Sequence, residues 1–186
     1  MAARVPESPD SSEAYEALRP LLFSIAYRMV GSVSEAEDIV QEAFLRHHRA
    51  VREGDTEVHA PKAWLAAVTT RLAIDHLRSA RVRRETYVGP WLPEPLVTDP
   101  GPDPSERAEL SDSLSMAFLT VLERLSPVER AVYLLREVFG YGYDDIAGIV
   151  DRSEGSCRQL ATRARRHVEE HRPRFPVARE RQEELT

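Results

Sequence analysis

The segment SCRQLATRARRHV carries, within a few helical turns, the side chains best suited to grip a nucleic acid. Placed on a helix at about 100° per residue, Cys157, Leu160, Ala161, Ala164 and Val168 form one stripe. Gln159, Thr162, Arg163 and Arg166 fall opposite, Arg158 and Arg165 flank them, and Ser156 opens the same surface. A helix lying in a major groove needs this division. Small and apolar residues pack on a supporting helix, amide and guanidinium groups reach base edges, and flanking arginines meet phosphates. Between Arg152 and Arg166 five arginines face Glu154 alone, whereas an ordinary solvated helix face mixes its signs. Cys157 points inward, where a thiol acts as a small hydrophobe rather than a nucleophile.

A second basic run sets Lys62, Arg71, Arg78, Arg81, Arg83 and Arg84 against Asp75. Trp64, Arg71 and Arg78 recur every seven residues and drift only about 20° per step, giving one face that ends in Arg81, Arg83 and Arg84. An aromatic beside guanidinium groups suits single-stranded DNA, whose bases stack while its backbone follows positive charge. The competing reading puts Trp64 in the core and makes Asp75 an arginine's structural partner. The segment EAEDIVQEAFLRHH has the opposite character. Glu35, Asp38, Gln41 and Glu42 are set for solvent and Ile39, Val40, Phe44 and Leu45 supply apolar area, a chemistry that fits docking to a basic protein. His47-His48 and His167-xxx-His171 lack a third ligand, so no metal site is expected. No acid-base constellation can be assembled either, so neither an enzyme nor a cofactor is expected.

These faces need helices to carry them, and the local signals are helical throughout. Leu18, Leu21, Leu22, Ile25 and Met29 mark a helix over 15–30 that stops at Gly31, with Pro20 starting or kinking it. Ser34 and Glu37 suggest a capping box opening a second helix to about Val51. After a loop over 54–59, Pro61 opens a long third helix with Leu65, Val68 and Leu72 inward. LSDSLSMAFLTVLERL is a further helix. LSPVERAVYLLREVF starts at Ser126 with Pro127 and a capping-box Glu129, and ends at Gly140 and Gly142. YDDIAGIV, DRS and the arginine-bearing helix then have helix-turn-helix spacing. Tyr87 to about Pro104 is different: YVGPWLPEPLV has three prolines and one Trp, and proline excludes both helix and central strand. This stretch is the expected linker and domain boundary.

Totals narrow the classes further. A chain of 186 residues with 42% hydrophobic content suits one domain or two small ones with real cores. One cysteine excludes an internal disulfide framework and a multi-cysteine metal site. MAARVPESPDSSE lacks a signal peptide's apolar core, and no run approaches the roughly 20 apolar residues of a membrane span, which points to a cytoplasmic protein with no membrane partner. The net charge of −6 hides the placement. Acid gathers at Glu35, Glu37, Asp38 and Glu42, and again from Glu94 through Asp99, Asp103, Glu106, Glu109 and Asp112, so two basic surfaces sit on an acidic body.

Taken together, SVSEAEDIVQEAFLR, WLAAVTTRLAIDHLRSARVRR, LSPVERAVYLLREVFGYGYDDIAGIV and SCRQLATRARRHV resemble a bacterial RNA polymerase sigma factor of the extracytoplasmic-function class, from about Tyr15 to Arg172. The resemblance implies an all-α fold of two small helical domains joined by a Pro-rich linker. Its extents here are 1–86 for region 2, 87–107 for the linker, 108–172 for region 4 with its helix-turn-helix, and 173–186 for a tail. It implies that Glu35, Asp38, Gln41, Glu42 and Leu45 bind core RNA polymerase. Trp64, Arg71, Arg78, Arg81, Arg83 and Arg84 would take −10 promoter DNA, and Ser156, Arg158, Gln159, Thr162, Arg163, Arg165 and Arg166 the −35 duplex. YVGPWLPEP, with Trp91, Pro93 and Pro95, resembles the linker of a subgroup in which a SnoaL-like domain follows region 4. By this resemblance the domain would begin after HRPRFPVARERQEELT, where the sequence ends, so either a truncation or a natural short form is expected. Many related sigma factors carry Asn where this chain has Arg71, implying a different pocket for a flipped −10 base. An anti-sigma protein or the fused regulatory domain is the further partner implied. The rival readings are a stand-alone helix-turn-helix regulator, which would footprint DNA without polymerase, and a helical adaptor that binds protein only.

Overall fold

The computed structural model describes residues 9–53, 60–84 and 118–171, excepting the side chains of 9–14, 53 and 80–84. Every regular element among these residues is helical. In chain order they are α1 (Pro9–Val30), α2 (Val33–Glu53), α3 (Pro61–Arg84), α4 (118–123), α5 (Pro127–Tyr133), α6 (Tyr143–Val150) and α7 (Glu154–His171). The Pro-rich strip over 87–104 and the loop over 54–59 lie outside the described residues.

The first bundle is α1, α2 and α3. Leu22, Ile25, Ala26 and Met29 of α1 are wholly buried against Ala36, Ile39, Val40 and Ala43 of α2 and Leu65, Ala66, Ala73 and Ile74 of α3. Alanines on the facing sides of α2 and α3 let the backbones approach closely while the larger aliphatics fill the space between. The α1–α2 turn is made by Gly31, whose φ of 75° is left-handed, a region that costs an L side chain strain. Its N–H donates to Tyr27 O at 2.8 Å, closing the end of α1.

Three details depart from the sequence expectation. Pro20 lies inside α1, which begins as early as Pro9. Pro20 and Glu16 are exposed, so the Glu16 carbonyl left without a donor faces water and the helix continues. The cap of α2 is Ser32 rather than Ser34: its hydroxyl accepts from Glu35 N at 3.5 Å and its carbonyl from Ala36 N at 3.0 Å. Of the expected inner face of α3, Leu65 is wholly buried while Val68 and Leu72 are half-buried, and Thr69 and Thr70 join the core. Thr70 keeps its hydroxyl satisfied by donating to Ala66 O at 2.8 Å.

The second bundle packs α7 across α5 and α6. Ser126 caps α5 as expected, its hydroxyl accepting from Glu129 N at 3.3 Å while the Glu129 carboxylate accepts from Ser126 N at 3.2 Å. The helix does not run straight to Gly140. From Leu134 to Val138 it widens into a π turn, with Phe139 N donating to Leu134 O at 3.1 Å and Tyr141 N to Leu135 O at 2.9 Å. Leu134 and Leu135, which open this turn, both lie in the core. Gly140, at φ 73°, ends this stretch, but Gly142 opens the next helix: its carbonyl accepts from Ile146 N at 3.0 Å as the N-cap of α6.

His47 of α2 is a buried titratable group, only 3% exposed. Its Nδ1 is 2.9 Å from the Tyr15 hydroxyl, its ring meets Trp64 edge-on at 5.2 Å, and its Nε2 has no hydrogen-bond partner among the described residues. Burial, aided by neighbouring His48, pushes the imidazole pKa below the ordinary 6.5. The unfolded chain therefore takes up a proton on this ring at a higher pH than the folded one, so stability present above pH 6.5 is lost as pH falls through that value. We expect His47→Gln, which retains a partner for Tyr15, to flatten the loss of the urea midpoint between pH 7.5 and 5.5; an unchanged slope would assign the acid sensitivity elsewhere.

Candidate nucleic-acid interface

The turn before α7 is set by Asp151, held left-handed at φ 54° and ψ 58°, with Arg152 N donating to Ala147 O at 3.1 Å. Ser153 then caps α7, its hydroxyl accepting from Ser156 N at 3.2 Å and its carbonyl from Cys157 N at 3.0 Å. Cys157, Ala161, Ala164 and Val168 are buried and Leu160 half-buried, which is the expected inner stripe. Burial, with Glu154 nearby, raises the Cys157 thiol pKa, so the group stays protonated. Gln159, Thr162, Arg163 and Arg166 are exposed opposite it, flanked by exposed Arg158 and Arg165, with Ser156 half-buried. The Thr162 hydroxyl is turned back, donating to Arg158 O at 2.9 Å.

The arginine row is not unopposed, as its own segment suggested. Arg158 lies 3.1 Å from Glu154, Arg163 3.6 Å from Glu129, Arg165 2.6 Å from Glu137 and Arg166 3.2 Å from Glu170. Glu129 and Glu137 come from α5 and its widened end, where counting charges along α7 does not reach. Glu129 serves twice, since its carboxylate also closes the cap of α5. Two residues outside the expected set, Arg136 and Tyr143, join the surface. Arg136 and Arg158 lie over the Tyr143 ring, 4.8 and 4.6 Å from its centroid. A ring at the start of α6 thereby orients a guanidinium of α7.

On α3, the three residues spaced by seven meet different surroundings. Helices α2 and α3 run antiparallel, so late α2 covers early α3: Trp64 is half-buried against His47. Glu35 of early α2 meets His76 of late α3 at 3.1 Å. Arg71 and Arg78 are exposed. Arg78 lies 3.6 Å from Asp75, the partner role expected of that carboxylate. Arg71 reaches the second bundle, donating from Nε to Ile149 O at 2.8 Å and from Nη2 to Gly148 O at 2.6 Å. The side chains of Arg81, Arg83 and Arg84, and the linker residues Trp91, Pro93 and Pro95, lie outside the described residues.

The acidic face divides as well. A groove of about 550 Å³ between α1 and α2 gathers Asp38, Gln41 and Leu45 with Glu16, Arg19 and Glu37. Leu45 is 44% exposed there, apolar area ringed by carboxylates. Glu35, paired with His76, and Glu42 do not line it. Arg46 donates to Glu42 at 2.8 Å and lowers its carboxyl pKa. Among the described residues no group of three metal-ligating side chains exists; His47 is engaged by Tyr15, and His167 and His171 stack at 4.2 Å.

Two family models match the chain: Sigma-70 region 2 over residues 14–83 and Sigma-70, region 4 over residues 115–168. The chain is 46% identical over 155 residues to the ECF RNA polymerase sigma factor SigJ of Mycobacterium tuberculosis, covering 83% of this chain and 48% of that protein. It belongs to the ECF RNA polymerase sigma factor family. The probable ECF RNA polymerase sigma factor SigI of the same organism is 43% identical over 164 residues, 87% of this chain and 55% of its own. The crystal structure of Mycobacterium tuberculosis SigJ superposes with a TM-score of 0.62 at 39% identity, over 84% of this chain and 52% of that one. RpoE of Bartonella quintana, crystallised with the anti-sigma factor NepR, shares the fold at a TM-score of 0.66 and 19% identity, over 88% of this chain and 97% of its own. The chain spans about half the length of the curated SigJ and SigI proteins that it matches.

In family terms α1–α3 form sigma region 2 and the elements from α4 onward form sigma region 4, so the groove and α3 belong to the first and the arginine row to the second. Exposed ion pairs such as those along α7 contribute only about 0–1 kcal/mol each, so a phosphate can displace the carboxylates at little cost. Glu137 makes the shortest of these pairs, accepting from Arg165 at 2.6 Å and raising the guanidinium pKa further. We expect Glu137→Gln to tighten binding of this sigma chain to duplex DNA by about twofold to tenfold, and Arg165→Ala to lower the salt-dependence slope by about 1. Titrations at several salt concentrations check both, and an unchanged slope in Arg165→Ala removes that residue from the interface.

Proposed function

We infer that this chain is a promoter-specificity subunit that binds core RNA polymerase and directs initiation, and that it is not itself an enzyme. The observation that carries this reading is the pairing, on one chain, of two arginine-bearing helices with different surroundings. Helix α7 is packed on α5 and α6 through its inner stripe and keeps a polar outer face of duplex-reading type exposed. Helix α3 presents Arg71 and Arg78 beside a cleft, a setting suited to an extruded strand. The matched regions support extents of 1–86 for region 2, 87–107 for the linker and 108–172 for region 4. The three residues 151–153 between α6 and α7 support a helix-turn-helix whose second helix reads the −35 duplex.

The α1–α2 groove is the polymerase-docking surface in this reading, through Asp38, Gln41 and Leu45, with Glu35 and Glu42 at its margins. Complementary charge there would orient the encounter and speed it. On α3, Arg71 offers donors only, whereas the Asn of many relatives both donates and accepts; its preferred −10 base edge is therefore one presenting acceptors. No described helix is long and apolar enough to cross a membrane, and a cytoplasmic site of action with polymerase belongs to the same proposal. Membership of the subgroup with a fused SnoaL-like domain draws support from the likeness to SigJ. An anti-sigma partner draws support from the RpoE neighbour of the same fold, crystallised with one.

Core polymerase, this chain and a genomic fragment library should give new transcription starts that core polymerase alone does not. Asp38→Arg combined with Gln41→Ala is expected to abolish capture by core polymerase while leaving the helical circular dichroism unchanged. Undiminished co-purification of that double variant would refute the docking assignment, and DNA footprints without any polymerase dependence would favour a stand-alone regulator.

A further inference from the structure

The four carboxylates beside the arginine row are not held alike. Glu154 and Glu170 belong to α7 itself, four residues from Arg158 and Arg166, with side chains 52% and 55% exposed. Such pairs move with the surface of their own helix. Glu129 comes from the start of α5, and its side chain is only 23% exposed. Its Oε2 accepts from the Ser126 hydroxyl at 2.6 Å and from Ser126 N at 3.2 Å, while the same hydroxyl accepts from Glu129 N at 3.3 Å. This closed box fixes the carboxylate relative to the first turn of α5. The other oxygen, Oε1, lies 3.6 Å from Nη2 of Arg163.

Arg163 stands with Gln159, Thr162 and Arg166 on the exposed face of α7. A long guanidinium side chain on such a face has two kinds of acceptor within reach. Phosphate oxygens occur at every step of a duplex and carry no sequence information, whereas N7 and O6 of guanine do. Which of them an arginine takes depends on where its planar fork points before contact, because ordering the chain costs rotamer freedom. A carboxylate oxygen on Nη2 uses one edge of the fork and leaves the remaining donors for a base edge. Glu137 on Arg165 has no such effect on sequence choice, since Arg165 belongs with Arg158 to the flanking pair that suits phosphates.

We propose that Glu129 is a specificity-determining residue of this surface: its carboxylate, fixed by the α5 cap, positions Arg163 so that the guanidinium meets base edges rather than the nearest phosphate. Glu129 acts through Arg163 and is a positioning residue. The proposal rests on the reading of α7 as the duplex-reading helix and adds to it a residue from outside that helix. Its effect is the size that one exposed ion pair can supply, about twofold to fivefold in the ratio between preferred and altered sequences.

The test is selection from a randomised duplex library by the full chain, followed by titration of the preferred duplex and of its single-pair variants. Arg163→Ala should relax one base pair of the preferred sequence. Glu129→Gln should relax that same pair by about twofold to fivefold, with unchanged circular dichroism. In this variant the amide oxygen can take the place of Oε2 in the cap, which turns the amide NH₂ toward Arg163, donor against donor. Glu137→Gln removes a charge of the same sign and should tighten every duplex alike, so it is the control for charge alone. NMR relaxation of the Arg163 Nε–Hε group should show a more mobile guanidinium in Glu129→Gln than in the parent. Uniform tightening of all duplexes by Glu129→Gln, or an Arg163 side chain equally mobile in both chains, would overturn the role of Glu129. Should Glu129→Gln fail to fold, Glu129→Asp, which keeps a capping carboxylate but is shorter by one methylene, decides the matter through the same ratio. If Arg163→Ala relaxes no base pair, the duplex-reading assignment itself fails. If it relaxes one and Glu129→Gln does not, that assignment stands and only the role of Glu129 falls.

Discussion

A guanidinium group is costly to bury unless its donors are used, and the position of Arg130 shows how the molecule meets that condition. Its donors end on carbonyls of Leu122 and Met29, in two different bundles, so the charge is compatible with burial only where the bundles meet. The remainder of the junction is arranged around this requirement. Helix α3 lies along α5 and α6, Arg71 closes the end of α6, and the buried aliphatics of both bundles form one continuous apolar cluster through Ile74, Leu122 and Ile149.

The local parts of this architecture were legible in the residues. Ser126, Pro127 and Glu129 announce the start of α5, Gly31 the end of α1, and the small-residue stripe from Cys157 to Val168 the inner side of α7, because each signal acts over one or two turns of the same segment. Where local rules compete, the choice is set by surroundings. Ser32 and Ser34 are both good caps, and the earlier one wins because α2 begins directly after the Gly31 turn. Pro20 reads as a breaker, yet its neighbours face solvent and the helix tolerates it. Nothing in LLREV announces a π turn, and buried neighbours such as Ile39 and Val40 sit in ordinary α-helix elsewhere in the molecule.

The candidate site was legible in its residue types and much less so in its pairings. The outer face of α7 and the groove residues Asp38, Gln41 and Leu45 stand where periodicity puts them. Trp64 does not share a setting with Arg71, because the antiparallel return of α2 covers the start of α3. The partners of Arg163 and Arg165 are carboxylates on another helix, and Arg71 meets carbonyls 77 and 78 residues away in the chain. Separations of that length carry no periodic signature, so only the packed molecule discloses them.

The carboxylates beneath the arginine row also bear on what happens before any correct sequence is found. A bare cationic helix adheres to every stretch of chromosome it meets, and a genome offers millions of wrong stretches. With Glu154, Glu129, Glu137 and Glu170 already beside the guanidinium groups, the row is partly self-neutralised, and each phosphate must replace an existing neighbour rather than bare water. Loose adhesion loses most from that exchange, because it has no base-edge contacts to offset it. If α7 reads duplex DNA as proposed above, a helix neutralised by its own bundle would spend less of its time idling on irrelevant sequence, and a larger share of the molecules would stay in the pool from which productive encounters are drawn.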